Sequence, residues 1–170
     1  MDDFYNGLGI VIGVLAGIIA GTVITVVERR VSQGMTERLW LGYLRYEINL
    51  NIQKIDGWLQ ELQRYRNAVN ASDLADYAGY FDLSRFLMVT ANNLLNAGLL
   101  YKHLSYQHIG SLQAAAGELS IFWENYMNNQ INENRAQFVQ SKAAREVNFW
   151  EQKFNQHKSA LQDIVAKLSK

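Results

Sequence analysis

With no cysteine in the 170-residue chain, His103, His108 and His157 are the only side chains whose ordinary pKa lies near neutrality. His103 and His108 flank a predicted turn. Their five-residue separation does not place them on one helical face, so they are expected to be exposed polar residues and not a metal pair. No His-Glu-x-x-His pattern occurs, and no Gly-Lys-Ser/Thr follows a glycine-rich turn. No metal or cofactor is therefore expected. His157 differs from the other two, because it falls within the run Val147, Trp150, Phe154, His157, Leu161, Ile164 and Leu168, spaced alternately by three and four. An imidazole on such an inner face either hydrogen-bonds across a bundle or serves as an acid–base group, and a lone one ordinarily does the former. The acids and bases are otherwise interspersed. Glu47 and Asn51 share a helical face, as do Glu61 and Tyr65, which reads as surface or register contacts. Arg64, Arg66, Arg85 and Lys102 read as a solvated surface, with an anion site as the alternative.

The elements that must position these residues are helical. Sixteen basic and sixteen acidic residues cancel, so net charge demands no nucleic acid or acidic partner. The chain has no proline, which favours long helices and short turns. Ser32-Gln33-Gly34 reads as a helix break, with Thr36 as the next N-cap. Leu41, Leu44, Ile48, Asn51, Ile55, Trp58, Leu62, Tyr65 and Val69 then form a heptad run in which Asn51 is the polar exception, suited to setting register. Asn70 to Asp73 is a predicted turn, and a short segment carries Leu74, Tyr77, Tyr80 and Phe81. Ser84 is a predicted cap for a helix through Ala97, stopped by Gly98. Ser105 is a predicted cap for a helix with Ile109, Leu112, Ala116, Leu119, Trp123 and Tyr126 on one face. The last helix is expected to begin near Asn132. No segment alternates with period two, so 31–170 is expected to be an all-α bundle of four or five helices.

Ahead of it, 1–30 reads as a short tail and a membrane anchor. Leu8 to Val27 is uncharged, and twenty residues at about 1.5 Å each span roughly 30 Å of hydrocarbon. Asp2 and Asp3 do not suit the basic start of a cleaved signal peptide. Arg29, Arg30 and Arg38 follow the span and no Lys or Arg precedes it, which places the N-terminus outside and the bundle in the cytoplasm. Gly9, Gly13, Gly17 and Gly21 lie along one side of the helix, with Ala16 and Ala20 as a second ladder. Small ladders let helices approach closely in lipid, and two faces suit head-to-tail packing into a ring. Trp40, Tyr43 and Tyr46 are expected to meet the membrane surface or a neighbouring subunit, with core packing an equal alternative.

The string Gln152-Lys153-Phe154-Asn155-Gln156-His157 resembles a degenerate Arg-x4-6-His signature of HEPN domains, the helical bundles of many antiviral ribonucleases. In active members an arginine and a histidine from two subunits frame a phosphodiester. Here Gln152 stands at the arginine position, with Asn155 between it and His157. A glutamine supplies no positive charge for a pentavalent phosphate, so no nuclease activity is expected. With the single span and the total length, the chain resembles the small membrane accessory proteins encoded beside type VI-B CRISPR RNA-guided ribonucleases. That resemblance implies a bacterial inner-membrane protein that oligomerises into a pore and strengthens the ribonuclease's defence. Its implied partners are the lipid bilayer, further copies of itself and a functional link to the ribonuclease, without direct nucleic-acid binding. Three other readings stay open. One is a membrane-anchored receptor for a cyclic oligoadenylate second messenger, drawing on Arg64, Arg66, Tyr101 or Lys102. The others are a HEPN ribonuclease on the membrane and a passive anchor.

Overall fold

In a computed structural model of the chain, residues 2–137 and 140–169 are described, with side chains from Met35 onward except Ser84. The described residues are helical, with no strand among them: α1 Asp2–Ala71, a 3-10 turn Leu83–Arg85, α2 Val89–Asn96, α3 Leu100–His103, α4 Tyr106–Glu118, α5 Ile121–Gln137 and α6 Gln140–Leu168. The all-α expectation therefore holds. The span Leu8–Val27 and its glycine and alanine ladders lie outside the residues with described side chains. Among the residues with described side chains, from Met35 onward, no helix is long and apolar enough to cross a membrane. The chain divides into two compact units, Met1–Leu41 and Gly42–Lys170.

The predicted break at Ser32-Gln33-Gly34 is absent, and Thr36 lies inside α1. One glycine costs a helix only about 1 kcal/mol relative to alanine. Without proline, nothing there removes a backbone donor or blocks the turn. The heptad expectation for the rest of α1 is met from its second position: Leu44, Ile48, Asn51, Ile55, Trp58, Leu62, Tyr65 and Val69 are buried, and Leu41 is half-buried. The helix ends where the turn was expected. Asp73 N–H bonds Ala68 C=O at 2.9 Å and Ser72 N–H bonds Val69 C=O at 3.3 Å, a Schellman closure. It holds Ser72 at φ 61°, a left-handed conformation that glycine adopts more easily.

α6 forms the other long wall of the core, burying Ala143, Val147, Trp150, Phe154, His157, Leu161 and Ile164. It runs antiparallel to α1, as the pairings Asp56–Lys158 at 2.6 Å and Arg66–Glu151 at 2.6 Å show. Trp58 and Phe154 meet between them with ring centroids 5.7 Å apart. α4 and α5 also run antiparallel to α6, through His108–Asp163 at one end of α4, His157–Glu118 at the other, and Lys142–Glu133 on α5.

Between α1 and α2, residues 72–88 form an irregular strap around the 3-10 turn. Ser84 does not cap the following helix. It sits within the 3-10 turn, and α2 starts after Met88. The cap is supplied from a distance. The Glu47 carboxylate on α1 accepts from Thr90 N–H at 2.7 Å and Ala91 N–H at 3.1 Å, placing negative charge at the positive end of α2. α2 stops as expected, with Gly98 at φ 72° and the 2.9 Å bonds Gly98–Leu95 and Leu99–Leu94. Ser105 caps α4 as expected, with His108 completing a capping box.

The helix expected from Ser105 through Tyr126 is two helices. α4 ends at Glu118, Leu119 turns into the core at φ −105° and ψ 62°, and Ser120 opens α5 by accepting from Glu124 N–H at 2.9 Å. The Ser120 hydroxyl also donates to Gly117 C=O at 2.9 Å, a local bond that competes with helix continuation. Asn132 lies inside α5, and the last helix begins at Gln140. The asparagines of this stretch are not used as caps; Asn134 is buried and donates to Tyr65 and Glu146.

The strap passes close to α1 at Gly79. A Cβ there would collide with the Glu61 carboxylate and the Tyr77 phenol, which bond to each other at 2.9 Å. Burial and that bond push the Tyr77 hydroxyl well above the usual phenol range, so it remains a neutral donor. Gly79→Ala is expected to part the pair and lower stability by about 1–3 kcal/mol. Thermal unfolding checks this: an unchanged midpoint would mean that the strap has room to move aside.

Candidate functional site

His157 is buried on the inner face of α6, and its Nε2 lies 3.0 Å from Glu118 Oε2 at the end of α4. Lys153, one turn earlier on α6, places its Nζ 2.7 Å from the same oxygen. A strong cation at helical spacing from His157 was not expected from the sequence, yet Lys153 at i−4 is one. The Lys153 bond holds the Glu118 carboxyl below the usual carboxylate range; burial opposes this, and His157 adds to the lowering. A carboxylate at the last residue of a helix faces the negative end of its dipole. Two donors from α6 offset that unfavourable placement and tie α4 to α6.

The other two motif residues are not brought to His157. Gln152 and Asn155 are exposed, about 140° and 160° around the helix from it. Within one chain, Gln152, Asn155 and His157 therefore do not form a common site. The positive group near His157 is Lys153, and its ammonium is engaged by Glu118. Phosphoryl chemistry needs a cation and a base free to meet substrate. Here the cation, the acid and the imidazole satisfy one another.

The cluster borders an aromatic region. Glu118 and Lys153 line a cleft of about 180 Å³ with Trp123, Phe149 and Trp150. Trp123 meets Trp150 edge-on at 5.9 Å and 77°. A larger groove of about 490 Å³ between α5 and α6 shares Trp123 and Phe149. The spacing puts Trp123 and Tyr126 on one face of a single helix with Ile109, Leu112, Ala116 and Leu119, an arrangement that holds no such groove. The unforeseen break at Leu119–Ser120 redirects α5 and sets these rings against α6.

Other expected positions resolve as follows. His108 is not simply exposed, since its Nε2 lies 3.1 Å from Asp163. Arg64 pairs with Glu61 at 3.1 Å and Arg85 with Asp82 at 2.6 Å. Arg66 grips Glu151 with both terminal nitrogens, at 3.1 and 2.6 Å. Tyr101 rests against Tyr106 at 5.7 Å. The basic residues proposed for an anion pocket are thus largely neutralised by carboxylates. Glu47 and Asn51, read as surface or register contacts, are buried and hold backbone. Tyr43 and Tyr46 are exposed, at 56% and 65%, so core packing does not account for them. Among the described residues no cluster of His, Asp and Glu is arranged to hold a metal ion.

No family model, curated protein or solved structure matches this chain.

Proposed function

We propose that this protein is a membrane-anchored, self-associating effector of antiviral defence that permeabilises the membrane and is not itself a ribonuclease. The observation that carries the reading is the uncharged run Leu8–Val27, with Gly9, Gly13, Gly17 and Gly21 in register, preceding a helical bundle. Such a run matches a bilayer in length, and such a ladder promotes close helix packing in lipid. The HEPN-like string and the resemblance to type VI-B CRISPR accessory proteins supply the context, an RNA-guided ribonuclease whose defence the membrane damage reinforces. The orientation proposed is N-terminus outside, bundle in the cytoplasm of a bacterial inner membrane. Two observations support a non-catalytic bundle: Gln152 is exposed and uncharged, and Lys153 is bound to Glu118. The ion pairs of Arg64 and Arg66 favour this reading over a cyclic oligoadenylate receptor built on those arginines.

The ladder is the place to test it. Gly13→Leu with Gly17→Leu is expected to abolish ion leakage from expressing cells while leaving the protein in the membrane fraction, because each added side chain pushes neighbouring helices apart. Undiminished leakage in the double variant would remove the ladder from the mechanism.

A further inference from the structure

The groove between α5 and α6 has the features of a small-molecule site. Its volume of about 490 Å³ lies in the ordinary range for ligand pockets, roughly 300–1,000 Å³. Phe122, Tyr126 and Phe149 line it and are 67%, 45% and 46% exposed. Trp123 packs edge-on against both Phe122 and Tyr126 at 5.5 Å, so the wall is a fixed array of rings.

The charges at the groove are unequal. Glu146 accepts from Asn134 and has the Lys142 ammonium 3.9 Å away, so its charge is compensated. Arg145 also lines the groove, is exposed, and has no carboxylate partner among the described residues. Gln130 donates to the Tyr126 hydroxyl oxygen at 2.9 Å, which leaves the Tyr126 O–H proton available to a ligand. The uncompensated charge is positive, and the donor beside it is a phenol.

We propose that this groove binds a small planar aromatic anion, its ring against Phe122, Tyr126 and Phe149 and its phosphate or carboxylate on Arg145. Planar rings gain most from an aromatic wall, and a guanidinium matches phosphate and carboxylate geometry. The groove adjoins the cleft lined by Glu118 and Lys153 and shares Trp123 and Phe149 with it, but its proposed contacts use neither of those charges, and the proposal does not depend on membrane permeabilisation.

The experiment uses purified full-length chain and follows intrinsic tryptophan fluorescence, to which Trp123 at the groove contributes, checked by calorimetry. AMP carries both ring and phosphate, adenosine only the ring, and ribose 5-phosphate only the phosphate. AMP is expected to bind saturably, adenosine about tenfold or more weakly, and ribose 5-phosphate not detectably. Arg145→Gln is expected to erase the difference between AMP and adenosine without changing the melting temperature, since the guanidinium holds nothing in the fold. Phe149→Ser is expected to weaken both. The assignment is overturned if AMP fails to saturate at millimolar concentration, if Arg145→Gln leaves its affinity unchanged, or if oleate competes as well as AMP. It is also overturned if single-stranded oligoadenylate binds more than about tenfold tighter than AMP, which would indicate a nucleic-acid strand. Dissociation of an oligomer by Phe149→Ser with no AMP binding would assign the groove to a second copy instead.

Discussion

Asn128→Ala is expected to lower stability by about 2–5 kcal/mol, and Asn51→Ala by a similar amount. Each amide clamps one residue of the strap through both backbone groups. Asn128 accepts from Phe81 N–H at 3.0 Å and donates to Phe81 C=O at 2.8 Å. Asn51 accepts from Leu87 N–H at 2.8 Å and donates to Leu87 C=O at 2.7 Å. The strap has no neighbouring strand to satisfy it, so these two side chains stand in for a ladder partner. Truncation leaves a donor and an acceptor unmade in the interior, at about 1–3 kcal/mol for each unsatisfied group. Against a typical total of about 5–15 kcal/mol, such a loss is large. Denaturant unfolding measures it, and amide exchange locates it. Phe81 should exchange faster in Asn128→Ala and Leu87 in Asn51→Ala, ahead of the α6 amides. A loss below about 0.5 kcal/mol in both variants, the scale of an ordinary surface change, would mean that the strap finds other partners.

His157→Ala is expected to destabilise by about 2–4 kcal/mol without removing any RNA cleavage, because the wild-type protein should have none. The substitution opens space beside Phe154 and Leu161 and takes a donor from Glu118. Lys153→Ala removes the other donor but is partly solvated, so it should cost under about 1 kcal/mol. The acid dependence has a definite sign. Glu118 titrates below its ordinary range in the folded protein, so its contribution is complete above that range. The contribution is lost as pH falls through the depressed folded value. Glu118→Gln should therefore flatten the acid limb of the stability profile. RNA cleavage by wild type that disappears in a folded His157→Ala protein would reverse the non-catalytic reading.

Much of the fold was legible because it rests on helical periodicity. The inner faces of α1 and α6 are the heptad runs of the sequence, and Gly98 and Ser105 act where their backbone chemistry suggested. The strap was not legible, because its backbone partners are side chains on distant helices. Nothing local to Phe81 or Leu87 names Asn128 or Asn51. The same distinction separates the parts of the site. The inward position of His157 follows from spacing; Lys153, at i−4, shares that face by the same spacing, although no cation was expected there. Glu118, 39 residues away, depends on how α4 meets α6. The α5–α6 groove depends on the break at Leu119–Ser120, where a continuous apolar pattern concealed a change of direction.

The most direct test of membrane permeabilisation is release of an encapsulated dye from sealed liposomes reconstituted with the purified full-length chain alone. The account predicts release that rises more steeply than in proportion to protein, because several copies must assemble. It also predicts that release is lost with Gly13→Leu and Gly17→Leu together and retained with Arg145→Gln. Liposomes that stay sealed although wild-type protein is inserted in them would contradict it.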